Sequence, residues 1–335
     1  MPEPAVCRPV PSIPTRFASI SWLSTRSPGA ARACGRAWTT SGARPSWTPL
    51  YANAFSGLSL ALALTPYFQN TSSQEVSAEV RLAAQRALRL DPTLALPHLA
   101  LGLLHQNAYA WDSAGVDLQT AVRLRSPDDI EPLVQYGRYL VFRGRSADAL
   151  HQFLAARRTE PASALVSSWV SYAYYLQGRM DSSLVESARA FESDPTNLTT
   201  LQLGSLVRLR ARDPAGARDF VNRLPRFDPY VLYVLGATGD TAAALGRLRE
   251  LERERPTRWL AATSRALGML GVGDTTEAMA ALERATVANE IWPSFHAMID
   301  PIFDPIRSSA RFHALLRRVN LPVSEYAVDR RPGSR

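Results

Sequence analysis

The sequence contains no lysine, only two cysteines and no long apolar run, and each absence narrows what the protein can be. Cys7 and Cys34 lie 27 residues apart and fit neither a zinc-ligand spacing nor a Cys-x-x-Cys motif. We therefore expect no disulfide framework and a reducing, cytoplasmic location. No apolar stretch reaches the ~18 residues of a membrane-spanning helix, and the first residues lack the apolar core of a secretory signal. An apolar content of 46% excludes global disorder.

All 38 basic residues are arginine, and the formal net charge is +8. Residues 1–48 hold six arginines against one acid, Glu3, so this stretch carries +5 of that charge and the other 287 residues carry +3. A nearly neutral body is unlike a phosphate-binding surface, whose affinity grows with each phosphate it neutralises. Nucleic-acid binding through the arginine-rich N-terminus is therefore disfavoured, although it ranks above a helical-repeat enzyme. Arginine without lysine is typical of a GC-rich genome.

Residues 1–48 are rich in proline, serine and arginine and show no sustained periodicity. Proline at this density blocks helices, so the segment is predicted to be disordered or irregular. A GC-rich gene translated in the wrong frame gives the same mixture, and a mis-called start or frameshift is an open alternative. The last residues, 323–335, are predicted to be a disordered tail.

From residue 50 onward the apolar residues recur at three- and four-residue spacings, which is typical of helices. A longer period is superimposed on this pattern. Gly144 and Gly178 are 34 residues apart, as are Gly239 and Gly273. Such a fixed period indicates a solenoid of repeated supersecondary units. Prolines recur at intervals of 35, 34, 34 and 34, at Pro92, Pro127, Pro161, Pro195 and Pro229.

Residues 130–161 show the unit clearly. A first helix ends at Gly144, because glycine accepts the left-handed turn that follows a helix. Ser146 can cap a second helix, which Glu160 and Pro161 stop. The small residue Gly137 lies where the two helices must approach closely.

This arrangement resembles the tetratricopeptide repeat (TPR) family over roughly residues 50–290. The resemblance implies an all-α fold, a right-handed α-solenoid of about six to seven helix pairs. Ser183 and Ser187 stand where the family prefers alanine and a large apolar residue, so loose packing is expected there. The second helix between residues 197 and 225 and the first helix at about 229–237 are predicted to be short.

The stretch Asp300-Pro301-Ile302-Phe303-Asp304-Pro305-Ile306-Arg307 is similar to the closing segment of TPR regions attached to bacterial signalling proteins. Those proteins include serine/threonine kinases, adenylate cyclases and winged-helix regulators. Residues 291–322 are expected to form a C-terminal cap that covers the exposed end of the solenoid. The apolar face of that cap consists of Phe312, Leu315, Leu316 and Val319.

No arrangement of residues points to catalysis. His98 and His105 share a helical face, but no acid or cysteine joins them at ligand spacing, so neither a metal nor a cofactor is expected. The sequence lacks a nucleophile elbow, a glycine-rich phosphate loop and kinase catalytic motifs. The protein is therefore predicted not to be an enzyme.

The first helix of each pair builds the concave surface in TPR-like folds, and this groove is the candidate partner site. Tyrosine and arginine are favoured in interfaces because they bury area and keep a polar group. An alternative is that Tyr172 and Tyr175 pack between repeats. Replacing both with alanine is expected to weaken partner binding without unfolding the protein. The candidate groove residues are Leu99, Leu103, Gln106, Asn107, Glu131, Val134, Arg138, Phe142, Ser168, Tyr172, Tyr175 and Arg208.

The resemblance implies a non-catalytic scaffold that binds a protein or peptide in this groove. The absence of lysine disfavours the mode in which TPR proteins clamp a chaperone's C-terminal carboxylate. The alternative is the sensor half of a bacterial signalling protein, separated from its kinase, cyclase or DNA-binding half.

Overall fold

The computed structural model describes residues 48–68, 72–226, 228–254, 261–290 and 298–326. The expectations for residues 1–47 and 327–335 lie outside the described residues. The predicted disordered tail is wrong for residues 323–326, which form a short helix with Tyr326 buried. Every regular element of the described residues is helical, and the fold is an α-solenoid of helix pairs.

Seven pairs follow one another in these residues, each named here by its order along the chain. They are α1 (Thr48–Phe68) with α2 (Ser73–Leu90), α3 (Ala95–Asn107) with α4 (Trp111–Leu124), α5 (Glu131–Phe142) with α6 (Ser146–Thr159), α7 (Ala164–Leu176) with α8 (Met180–Ser193), α9 (Leu198–Arg210) with α10 (Pro214–Asn222), α11 (Pro229–Ala237) with α12 (Thr241–Glu254), and α13 (Ala261–Val272) with α14 (Thr275–Val287). A 3-10 helix (Pro301–Phe303), α15 (Ala310–Arg318) and the short α16 (Val323–Tyr326) complete the fold.

The turns inside the pairs follow the glycine pattern of the sequence. Gly144, Gly178, Gly239 and Gly273 all have positive φ, between 73° and 89°. In that conformation a Cβ meets the backbone, so glycine is the residue that ends the first helix at least cost. The predicted short helices are confirmed, because α10 and α11 each span nine residues.

Glycines in the first helices let the second helix of the pair pack closely. A Cβ added at Gly102 would lie 2.7 Å from Leu118, and one at Gly204 would lie 2.6 Å from Phe220. At Gly137 an added Cβ would overlap the fully buried ring of Phe153. The pairs therefore depend on a small residue facing a large one.

We expect Gly137→Ala to lower the free energy of unfolding by about 1–3 kcal/mol, because the added methyl displaces Phe153 from a filled core. The matched control is Gly246→Ala in α12, where an added Cβ meets nothing within 4 Å. That change should raise stability by up to ~1 kcal/mol, since alanine favours a helix over glycine. Urea unfolding of both variants measures the difference, and equal effects would contradict this packing.

The pair α7–α8 is joined through serine. Ser171 donates to the Ser183 carbonyl at 2.7 Å, and Ser183 donates back to the Ser171 carbonyl at 2.9 Å. Ser187 accepts a hydrogen bond from Arg208. Both serines that depart from the family pattern are buried and hydrogen-bonded. Polar contacts thus replace the apolar ones here, and the expected loose packing is not found.

Candidate functional site on the inner face

The first helices of successive pairs pack side by side and form one surface, which we call the inner face. Residues 298–326, called here the terminal segment, lie against it. Trp111 Nε1 donates to the Val319 carbonyl at 2.7 Å, and the Tyr326 hydroxyl donates to the Phe142 carbonyl at 2.8 Å. The terminal segment thus contacts the second and third pairs, about 180 or more residues away along the chain.

Asp300 is the polar centre of this contact. The Tyr172 hydroxyl donates to Asp300 Oδ2, and the Tyr175 hydroxyl donates to Asp300 Oδ1 at 3.0 Å. The two tyrosine rings stack with centroids 5.5 Å apart. Asp300 also caps the 3-10 helix by accepting from the Ile302 amide at 3.0 Å. Only 1% of the aspartate is exposed, so these donors replace the water that its carboxylate loses.

Burial raises the pKa of Asp300, while the hydrogen bonds from Ile302, Tyr172 and Tyr175 oppose that rise. The pKa values of Tyr172 and Tyr175 lie well above the ordinary tyrosine value, first because they are buried and second because the carboxylate is close. Burial and the same carboxylate also raise the pKa of Tyr230 in α11. Asp300 is therefore bound by residues of α7, and its charge also acts on Tyr230 of α11.

Arg307 organises the terminal segment from within. Its side chain is 2% exposed and donates to the carbonyls of Met298, Asp300 and Tyr326 at 2.7–2.8 Å. Its Nε pairs with the Asp304 carboxylate at 2.9 Å. One side chain thus joins the beginning and the end of the terminal segment.

Arg138 of α5 lies on the inner face among aromatic rings. Its guanidinium carbon is 5.2 Å from the centre of the Trp169 ring, and the rings of Tyr67 and Phe142 lie within 6 Å. Gln135 accepts a hydrogen bond from it at 2.9 Å, while its buried Nε has no hydrogen-bond partner in the described residues. Burial lowers the pKa of Arg138.

A strained turn joins the second pair to the last. Tyr109 has φ 58°, in the left-handed region that glycine occupies in other turns. Its hydroxyl donates to the Glu290 carbonyl at 2.6 Å, and its carbonyl accepts from Asn320. The Glu290 carboxylate in turn accepts from Thr263 in α13. These contacts connect the second pair to residues that follow the last pair, and they offset the strain at Tyr109.

The structure places the sequence-predicted residues at different depths. Tyr172 and Tyr175 meet at Asp300, and Glu131 is linked to Arg138 through Gln135. Arg208 lies apart, over the Phe220 ring at 3.9 Å. Arg138 and Arg208 are half-buried. The other predicted residues are at most 9% exposed, namely Leu99, Leu103, Gln106, Asn107, Glu131, Val134, Phe142, Ser168, Tyr172 and Tyr175.

Sequence reasoning missed the residues that the terminal segment brings to the inner face. The Asp300-Pro301 motif was visible in the sequence, but its tyrosine partners lie 125 and 128 residues away. Sequence reasoning also missed Tyr109, whose position in a turn gave no signal.

A second missed contact joins the paired histidines to an acid. Asp117 of α4 lies 2.9 Å from His105 Nδ1 and 3.4 Å from His98 Nδ1. Within the described part of the chain, no group of three or more histidine, cysteine or acidic residues has a geometry that could hold a metal ion. None of the helices described has the length and apolar character to cross a membrane.

No protein-family model and no curated protein matches the sequence. Among solved structures, pilF of Pseudomonas aeruginosa is similar at a TM-score of 0.49 and 16% identity, covering 62% of this chain and 94% of that one. PilW, a type IV pilus biogenesis factor, is similar at 0.48 and 18%, covering 62% and 97%. YrrB, a TPR protein, is similar at 0.39 and 16%, covering 60% and 91%. The fold assignment rests on the helix pairs of this chain itself.

Proposed function

We propose that the protein is a non-catalytic scaffold that binds a peptide or protein partner on its inner face. One observation carries this proposal: the inner face already holds a stretch of polypeptide, the terminal segment. The Tyr172 and Tyr175 hydroxyls donate to its Asp300 carboxylate, and its Tyr326 hydroxyl donates to the Phe142 carbonyl of α5. Groups that hold one stretch of polypeptide can hold another of the same chemistry.

The chemistry of the inner face favours an acidic, partly apolar peptide. Tyr172 and Tyr175 present hydroxyl donors to a carboxylate. Arg138 adds a cation that lies over the Trp169 ring and donates a hydrogen bond to Gln135. Charge-assisted hydrogen bonds of this kind give selectivity for acidic groups.

The experiment uses the full chain as bait in cell extract, with bound proteins identified by mass spectrometry. We expect proteins retained by the wild type to be lost with Arg138→Gln and kept with Arg158→Gln, the same change on an exposed arginine of α6. Circular dichroism checks that both variants are folded. Equal retention by the two variants would contradict an inner-face site, and no specific retention would contradict a scaffold.

A second candidate is the regulatory half of a bacterial signalling protein. The similarity of residues 300–307 to the closing segment of such TPR regions supports it. Under this proposal the adjacent reading frame encodes a kinase, cyclase or DNA-binding half. An unrelated upstream gene would count against it.

A further inference from the structure

The first part of the terminal segment is bound as a peptide ligand would be. Asp300 meets two tyrosine hydroxyls, Pro301 begins a 3-10 turn, and the next two side chains are buried, the Phe303 ring being stacked on Phe312 of α15. Ile302 is 3% exposed and Phe303 is fully buried. An anchoring acid followed by a turn and two apolar side chains is a complete recognition unit.

We propose that residues 298–307 are an internal ligand of the inner face, and that the partner presents an Asp-Pro-apolar-apolar segment that exchanges with them. This inference rests on the proposed function and names the partner chemistry for it. The protein by itself then holds its own binding site closed.

Exchange is feasible because an incoming segment with the same acid recovers the hydrogen bonds from Tyr172 and Tyr175. The internal copy has the advantage of its covalent connection, which acts as an effective concentration of order millimolar for a short linker. The wild type should therefore bind a free copy weakly, since the apparent affinity falls with the fraction of open protein.

The position of Arg138 shows how a partner can overcome this advantage. Two aromatic rings, those of Trp169 and Tyr172, lie between the guanidinium and Asp300. The guanidinium carbon is 5.2 Å from the centre of the Trp169 ring, and the centres of the Trp169 and Tyr172 rings are 5.9 Å apart. The Nε of Arg138 has no hydrogen-bond partner among the described residues, the terminal segment included. A partner with a second acid near this position gains a charge-assisted hydrogen bond that the internal ligand lacks.

The test uses a fluorescent peptide with the sequence of residues 298–307, titrated into full-length protein and followed by anisotropy. We expect Asp300→Ala to bind it at least tenfold more tightly than the wild type, because the internal ligand has lost its anchor. The matched control is Ser308→Ala, a change at an exposed residue of the terminal segment directly after residues 298–307. This control should bind like the wild type. A peptide with asparagine in place of its first aspartate should bind neither protein.

A second measurement on the wild type covers the case in which Asp300→Ala does not fold. A saturating amount of heavy-isotope peptide should speed amide hydrogen exchange in residues 298–307 of the protein, and leave exchange in α9 unchanged. The proposal is overturned if the peptide binds neither the wild type nor Asp300→Ala, and equally if exchange in residues 298–307 is unaffected.

Two further results would also overturn it. A concentration-dependent dimer that binds no peptide would mean that the terminal segment exchanges only between copies of the chain. If partner proteins are retained and an excess of the peptide does not displace them, residues 298–307 are not an internal ligand. The proposed scaffold function would still stand in that case.

Discussion

Replacing both Tyr172 and Tyr175 with alanine is expected to lower the free energy of unfolding by about 5–8 kcal/mol, enough to unfold most of a marginally stable protein. Each ring is 3% exposed, and the two stack on one another. Their removal opens a cavity and leaves the Asp300 carboxylate without its tyrosine donors. The two changes are in contact, so their effects are not additive. This outcome differs from the expectation drawn from the sequence, in which the double variant stays folded.

Thermal and urea unfolding measure this effect. Tyr174→Ala is the matched control, because that tyrosine lies on the same helix and is half-buried. Its ring contacts Arg179 in the turn between α7 and α8. We expect it to cost about 1 kcal/mol or less, which is the size of a partly exposed cation–π contact. Replacing Tyr172 and Tyr175 with phenylalanine keeps the rings and should fall between these values. A double alanine variant as stable as Tyr174→Ala would show that the terminal segment does not depend on them.

Replacing Arg307 with alanine is expected to lower the free energy of unfolding by about 3–5 kcal/mol, the size found when a buried ion pair loses one partner. The side chain is 2% exposed and serves three carbonyls and one carboxylate. Alanine removes this donor from all four acceptors, of which the Asp300 carbonyl keeps the Phe303 amide at 3.1 Å. It also removes the link between the two ends of the terminal segment. Lysine should rescue only part of the loss, because an ammonium cannot reproduce the planar fork of guanidinium donors.

The control for Arg307 is Arg311→Ala, four residues further along the same segment. Arg311 is exposed and pairs with Glu283 of α14 at 2.8 Å. Exposed ion pairs contribute about 0–1 kcal/mol, so this variant should unfold close to the wild type. Hydrogen exchange of the terminal segment separates the two further, since only Arg307→Ala should expose its amides. Similar exchange in both variants would argue against the role of Arg307.

The terminal segment has consequences for the whole array. A solenoid ends in an uncovered apolar face unless something caps it. Here Phe312, Leu315, Leu316 and Val319 are all buried, and α15 lies against α14. The same segment reaches the second and third pairs through Val319 and Tyr326. It therefore serves both the end of the array and its inner face.

The sequence by itself determined the helix pairs, their period and their local irregularities. Glycines at fixed intervals predicted the turns, because a positive φ is a property of single residues. The short helices around residues 214–222 and 229–237 followed from the spacing of Pro, Gly and Asp. These features depend on contacts only a few residues apart along the chain.

Only the tertiary structure decided what the inner face holds. Asp300 meets Tyr172 and Tyr175 across 128 and 125 residues, and Tyr109 meets Glu290 across 181. Such long-range contacts depend on how much each helix pair is rotated relative to the next, added up along the array. A small change in each rotation moves distant residues by many ångströms. Periodicity shows which side chains face inward. The curvature of the whole array determines which distant residues these side chains contact, and here the contacts are with the chain's own terminal segment.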